Sequence, residues 1–253
     1  MSNFIFVVMV ASSSLSVIPQ NTQTFKPEFK DGYSEVENCM TTSIRYSAVV
    51  LAAGTSSRMH GQHKMLLPLG KESVIHRTVR ILLDAQPQEV VVVTGFNAKA
   101  VTQALLDLPV AFQPNLRYEE GQMTSVTAGL GALRLATDVV MVCLGDMVLL
   151  TANDYRELID AYVSTSRLIV VPHYQGRRGN PMVFAASYAP TVMSGQRKIG
   201  CRKLVTDYPE DVFAYEATHD RFVADMDTPE DYARILNVLK LSGASLTNGE
   251  THG

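Results

Sequence analysis

The sequence predicts an α/β protein, a three-layer α/β/α sandwich on a mostly parallel sheet. Two observations predict it. Five short runs rich in β-branched residues are apolar almost throughout, as strands buried on both faces of a parallel sheet are. Segments with apolar residues three to four apart alternate with them, and repeated strand–helix–strand units close through right-handed crossovers.

Taken in order, strands are expected at "SAVVLA" (47–52), "EVVVVTG" (89–95), "PVAFQ" (109–113), "DVVMVCLGD" (138–146) and "RLIVVPH" (167–173). The intervening helices are "ESVIHRTVRILLDAQ", where Val74, Ile75, Thr78, Val79 and Leu82 share a face, then "AKAVTQALLDL", "TSVTAGLGALRLA" and "TANDYRELIDAYVS". The last helix starts in "DMDTPEDYARILNVL". There Thr228 suits the N-cap, Pro229 the first turn, and Glu230 and Asp231 the positive helix end. With no repeat and no interior linker, residues 45–241 read as one domain between an extension (1–44) and a tail (242–253).

The chain has 253 residues, 46% of them hydrophobic, and a net charge of −3. That charge gives no global pull toward nucleic acid or an anionic membrane, so any anion site must be local. Cys39, Cys143 and Cys201 form no CxxC pair, which argues against a disulfide framework and fits a reducing cytoplasm. The apolar stretch "FIFVVMVA" is too short to span a bilayer, for which about 20 residues are needed. It also lacks the basic flank of a signal peptide. The polar run behind it reads as a disordered or marginal extension, with Met40 as a candidate biological start.

Ligands of open parallel sheets bind at the carboxyl ends of strands. After the first strand comes "AAGTSSRMHGQHK". Ala52, Ala53 and Gly54 are small enough for a ligand to approach the backbone, and Arg58 and Lys64 add charge suited to phosphate. The loop is neither a Walker A sequence nor GxGxxG, and a turn with incidental cations reads equally well. After the fourth strand comes Gly145-Asp146. A carboxylate there is desolvated unless compensated, and magnesium with phosphate oxygens is one compensation. A capping or turn aspartate is the alternative, as it is for Asp225 and Asp227.

The series "LAAGTSSRMHGQHKMLLPLG", "EEGQMTSVTAGLGAL", "GDM", "GRRGNPMVF", "SGQRKIGCRKLV" and "DMDTPEDY" resembles the nucleotidyltransferases of the molybdenum cofactor, cytidylyl (MocA type) and guanylyl (MobA type). The resemblance covers about residues 46 to 240. It implies a Rossmann-like fold of the nucleotide-diphospho-sugar transferase type, and transfer of CMP from CTP to the phosphate of molybdopterin with release of pyrophosphate. The implied nucleotide contacts are Leu51, Ala52, Ala53, Gly54, Thr55, Ser56, Thr94, Gly95, Ser125 and Gly145, with Ser125 facing the base. Arg58 and Lys64 would bind the triphosphate and, with Asp146, form the catalytic set. Asp146 and Asp225 would hold Mg2+, Asp227 being the other choice for the second carboxylate. Arg178, Gly179, Asn180, Pro181 and Arg202 would meet the acceptor, and a molybdoenzyme apoprotein is an implied partner.

Four positions depart from the family pattern. His60 replaces a glycine, Val148 a proline, Asn180 a histidine and Gln196 an acidic residue. They leave the phosphate-binding set intact and bear on the acceptor. The LAAG opening and the Gly-x-x-x-Ser segment favour CTP over GTP. Rival readings are a guanylyltransferase, a sugar- or isoprenoid-phosphate nucleotidyltransferase, and a non-enzymatic chaperone that binds nucleotide and cofactor. His60 and His63 form an HxxH pair without a third ligand, so metal binding is not expected there. Cys143 is expected to pack in its strand, and Cys201 to lie near the acceptor. Arg177, Arg178, Arg197, Lys198, Arg202 and Lys203 read equally as an acceptor rim or a solvated surface.

Overall fold

The computed structural model describes residues 44–194 and 201–241. The expected tail, all of the extension but Ile44, and Cys39, Met40, Gln196, Arg197 and Lys198 lie outside the described residues, as does the side chain of Arg202.

Strand β1 (Tyr46–Ala52) is buried along its whole length. Its residues alternate between two apolar clusters, as the two-residue period of a strand requires. Ala48, Val50 and Ala52 face one cluster, Val49 and Leu51 the other. The chain then forms a small hairpin, β2 (Pro68–Leu69) with β3 (Glu72–Ser73), and enters α1 (Val74–Leu83). The Ser73 hydroxyl caps α1, accepting from the His76 N–H at 3.3 Å. There follow β4 (Glu89–Thr94), α2 (Ala98–Gln103), β5 (Ala111–Pro114), α3 (Gln122–Ala132), β6 (Val139–Leu144) and α4 (Ala152–Ser164). Next come β7 (Ile169–Tyr174), β8 (Arg177–Arg178), β9 (Met182–Ala185), α5 (Ala189–Ser194), α6 (Cys201–Asp207), β10 (Val212–Glu216) and α7 (Pro229–Leu241).

The main sheet runs β10-β7-β9-β6-β1-β4-β5, with β8 added to β7. Pairs β1–β4, β1–β6, β4–β5 and β7–β10 are parallel, while β9 lies antiparallel between β6 and β7. Helices α1 and α4 cover one face with Ile75, Val79, Leu82, Tyr155 and Leu158. Helices α3, α5 and α6 cover the other with Val126, Leu130, Val192 and Leu204. The expected three layers and mostly parallel sheet are therefore present. A third cluster lies outside the sheet: Ile235 and Leu239 of α7 pack with Met59, Leu67, Leu69, Val74, Val148 and Met226. Burial of these side chains, at about 25 cal/mol per Å² of apolar surface, pins the start of α7 beside the loop after β1.

Sequence reading missed β9 and β10. The four residues of β9 have no helix before them to announce a crossover. In β10, at the edge of the sheet, the short run "VFAY" is half-buried or exposed rather than covered on both faces. The third expected strand is shifted, running from Ala111 to Pro114 rather than from Pro109 to Gln113. No helix among the described residues is long and apolar enough to cross a membrane.

Candidate active site

Strand β1 brings the chain to the carboxyl edge of the sheet at Ala52 and Ala53, both buried. The Met59 N–H then donates to the Ser56 carbonyl and the Gln62 N–H to the Met59 carbonyl, each at 2.9 Å. Ser56 and His60 take left-handed φ of 56° and 48°, so His60, where the family pattern has glycine, still makes the turn. Met59 is buried under α7, which leaves the Arg58 side chain 66% exposed. Lys64 closes the loop by donating its backbone N–H to Ser56 Oγ at 3.1 Å.

One strand over, the Gly145 N–H donates to the Leu51 carbonyl at 3.0 Å. A Cβ at Gly145 would lie 2.8 Å from Ile75 Cδ1 and 3.1 Å from that carbonyl. Glycine lets the chain leave β6 flush against β1 without crowding these neighbours and presents Asp146 beside the loop.

At the two neighbouring helices the capping is done by other residues. Helix α4 is capped by Thr151 and Asp154 in a reciprocal box. At α7 the Asp231 carboxylate accepts from the Asp227 and Thr228 N–H groups, and Thr228 Oγ1 accepts from the Asp231 N–H at 3.2 Å. Neither Asp146 nor the Asp227 carboxylate does capping work. Both face cations instead. The Lys64 ammonium donates to Asp146 and, at 2.9 Å, to Asp227 Oδ1. The Arg58 guanidinium donates to Asp227 Oδ2 at 2.7 Å.

Burial separates these pairs. Lys64 and Asp146 expose 14% and 4% of their side chains, so this pair is largely desolvated and removal of either partner strands a buried charge. The Arg58–Asp227 pair is wetter and screened. Burial lowers the Lys64 pKa, but Asp146 and Asp227 outweigh it and hold the ammonium above its ordinary value. Burial pushes the Asp146 carboxyl up, Lys64 pulls it back and the charge of Asp225 pushes it up again, leaving it raised. Asp225 thus lies within electrostatic reach of Asp146. Asp225, Asp227, Arg58 and Arg177 line a cleft of about 420 Å³.

Ser125 sits in the first turn of α3, buried, with its hydroxyl accepting from Asn115 Nδ2 at 2.9 Å. Asn115 also donates to Thr124 Oγ1 at 2.8 Å, and its backbone N–H to the Thr94 carbonyl at 2.8 Å. One asparagine therefore ties β4, the end of β5 and α3 together. Sequence reading did not single out Asn115, whose signal was a polar side chain directly after a strand.

The expected acceptor residues are placed differently. The Gly179 N–H donates to the Pro172 carbonyl at 2.7 Å and the Asn180 N–H to the Phe222 carbonyl at 2.8 Å. A Cβ on Gly179 would lie 2.3 Å from Phe222 O. These residues join β8 and β9 to the segment that runs into Asp225. Arg178 donates to Met182 Sδ at 3.3 Å, and its charge reaches the Cys201 thiol, which burial pushes up to about 11. Lys203 pairs with Asp207 on its own helix. Val148 is buried in the third cluster and Cys143 in the first. His63 stacks on Phe96 with centroids 5.3 Å apart, and burial lowers its pKa. The cluster with metal-ligand spacing among the described residues is Asp154, Glu157 and His219, and Arg221 already grips Asp154 there through two bonds of 2.8 and 2.6 Å.

A family model described as the MobA-like NTP transferase domain matches residues 48–212. Among curated relatives, the bifunctional protein GlmU of Synechococcus sp. is 33% identical over 117 residues, 46% of this chain and 18% of that protein. The chain thus spans less than a fifth of that relative's length. Nicotine blue oxidoreductase of Paenarthrobacter nicotinovorans is 27% identical over 200 residues, 75% of this chain and 96% of its own. Among solved structures, a nucleotidyl transferase from Methanothermobacter thermautotroptrophicus superposes with a TM-score of 0.69 at 24% identity, covering 78% of this chain and 99% of its own. Rv0371c of Mycobacterium tuberculosis, in complex with manganese, gives 0.62 at 24% over 76% of this chain and 98% of its own. Both show a shared fold.

Proposed function

The chain belongs to the MobA-like NTP transferase domain family, and on that premise we propose that it moves CMP from CTP to the phosphate of a molybdopterin-type acceptor, releasing pyrophosphate. The observation that carries this reading is the Lys64 ammonium held between Asp146 and Asp227, with Arg58 on the far oxygen of Asp227, at the carboxyl edge of the sheet. Cations from the loop after β1 and carboxylates from two distant segments converge on one place.

The acceptor phosphate is already an anion near neutral pH, so the chain need not supply a general base. Its work is placement and charge. Lys64, tethered through Ser56, and Arg58, on the exposed shoulder of the loop, would bind the triphosphate and offset charge as pyrophosphate leaves. The small Ala52, Ala53 and Gly54 would let the nucleotide approach the backbone, with Leu51, Thr55, Thr94 and Gly95 around it. Ser125 would meet the base, oriented by Asn115.

Asp146 and Asp225 suit Mg2+: both offer hard carboxylate oxygens, and the charge of Asp225 bears on a buried Asp146 that has Lys64 as its cation. When bound, the ion would supply charge neutralisation at the phosphates. Arg178, Gly179, Asn180, Pro181 and Arg202 are assigned to the acceptor side.

The test is a parallel assay with CTP, GTP and UTP, magnesium and reduced molybdopterin, reading pyrophosphate and the mass of the product. The cytosine dinucleotide is expected. Exclusive use of GTP, turnover of a sugar 1-phosphate or methylerythritol phosphate instead, or nucleotide binding without pyrophosphate release would each replace this reading with a rival.

A further inference from the structure

A second cavity, of about 580 Å³, takes no part in the proposed chemistry. Helix α1 gives Arg77 and Ile81 to its wall, the segment after β6 gives Leu149, and α7 gives Arg234 and Val238. Its volume is that of a pocket for a small organic molecule. Asp220 and Arg234 line both this cavity and the cleft of Asp225 and Asp227, so the two adjoin. Three of its arginines are already paired. Arg80 holds Glu72 at 2.5 Å, Arg221 holds Asp154 at 2.6 Å and Arg234 reaches Asp231 at 3.6 Å. Arg77 differs. It is half-buried, makes no ion pair among the described residues, and donates through Nε to the Val148 carbonyl at 3.3 Å. Its Nη groups have no acceptor among the described residues.

We infer that this cavity is a second ligand site, taking a small carboxylate with an apolar body whose oxygens accept from the Nη groups of Arg77. The inference goes beyond the functional reading and does not depend on it. A guanidinium anchored at Nε still offers two parallel N–H groups on its far edge, which match the two oxygens of a carboxylate. Burial already holds the Arg77 pKa below its ordinary value, and a bound anion would relieve that desolvation. The body of the ligand would lie on Ile81, Leu149 and Val238. Val238 is 42% exposed, apolar surface that an occupant would remove from water. The surrounding charge limits the ligand to one negative group. Arg156, which donates to the Asp84 carbonyl, brings the arginines to five. The carboxylates of Glu72, Asp84, Asp154, Asp220 and Asp231 match them in number. A triphosphate therefore meets no excess of cations here, whereas a single carboxylate needs only the fork of Arg77.

The experiment is calorimetric titration of 4-phenylbutyrate and octanoate, and of the neutral amide of each, into the full chain. The proteins are the wild type, Arg77→Gln, Val238→Asp and Arg58→Ala, with thermal melts to establish that each is folded. Both carboxylates should saturate the wild type with a Kd of about 1 mM or tighter. Their amides should bind at least about tenfold more weakly, the scale of one charge-assisted hydrogen bond. Arg77→Gln should weaken the carboxylates by a similar factor and leave the amides within about threefold. Val238→Asp, which sets a like charge on the apolar wall at an exposed position, should weaken the carboxylates at least about threefold. Arg58→Ala, in the neighbouring cleft, should leave them within about threefold. No saturable binding to the wild type, or equal binding of acid and amide, overturns the inference. So does a loss in folded Arg58→Ala rather than Arg77→Gln, which would move the acids to the cleft of Asp225 and Asp227. If Arg77→Gln does not fold, carboxylate binding unchanged in Val238→Asp overturns it instead. None of these results touches the functional reading, which the nucleotide assay tests separately.

Discussion

The loops after β1 and β6 and the crossover between β8 and β9 both contribute residues assigned to the site, and they are built on different principles. In the first region side chains hold side chains: Lys64 with Asp146 and Asp227, Arg58 with Asp227. Such pairs can be exchanged for the charges of a ligand without disturbing the chain that carries them. In the second region backbone holds backbone. Gly179 and Asn180 are fixed by hydrogen bonds to Pro172 and Phe222, and exchange there would unseat the strand. The difference teaches that matching a motif does not tell whether its residues meet a ligand or shape the ground beneath one.

Four substitutions would break or sharpen that contrast. The largest effect is expected for Lys64→Ala, which should cut turnover at least about 10²-fold, as loss of a charge-stabilising group does. It also leaves Asp146 buried without its ammonium, so the melting temperature should fall too. Near-normal turnover would remove the exchangeable-charge description of the first region. Next is Gly179→Ala, where the new methyl meets a main-chain oxygen that cannot swing away. Denaturant unfolding should register a loss of about 2–3 kcal/mol, and a neutral result would show that the crossover yields more easily than its packing indicates.

Arg221→Ala comes third. Burial raises the Asp154 pKa, but the Arg221 and Thr151 hydrogen bonds outweigh it and hold the carboxyl below its ordinary value. A depressed carboxylate contributes stability above its unfolded pKa and loses it as pH falls through the folded one. The variant should therefore lose about 2 kcal/mol near neutrality and show a flatter decline in acid than the wild type. A parallel offset at every pH would contradict this. The smallest effect is expected for Arg58→Ala, about a tenfold rise in KM for the nucleotide with the fold unchanged, because a largely exposed ion pair is screened. A loss as large as that of Lys64→Ala would show that the two cations work as one unit.

Much of the fold was legible because its strands lie in the sheet interior. Runs such as "VVVV" in β4 and "VVMVCL" in β6 are apolar on both faces, and nothing but a doubly covered strand buries them. The cap at Thr228 was legible too, since capping is local and carried by residues within one turn. Strands β9 and β10 were not. One is a buried apolar run of only four residues with no helix before it, and the other is a half-buried edge, so neither stands out as the longer interior runs do. For the site, the residue types were readable and their partners were not. Asp225 and Asp227 looked alike as candidates, yet Asp227 holds both cations while Asp225 acts on Asp146 through its charge. Asn115 did not distinguish itself, because nothing local shows that its amide reaches Ser125 ten residues on.

By itself the sequence determined the layered architecture, because the spacing of apolar residues sets which faces must leave water, and it determined the chemical inventory of the carboxyl edge. Only the tertiary structure decided which carboxylate meets which cation. Lys64 and Asp146 are 82 residues apart and Lys64 and Asp227 163 apart, and no local pattern encodes a distance that strand order and the seating of α7 create. Charge pairing over such separations is settled by where the core places the chain.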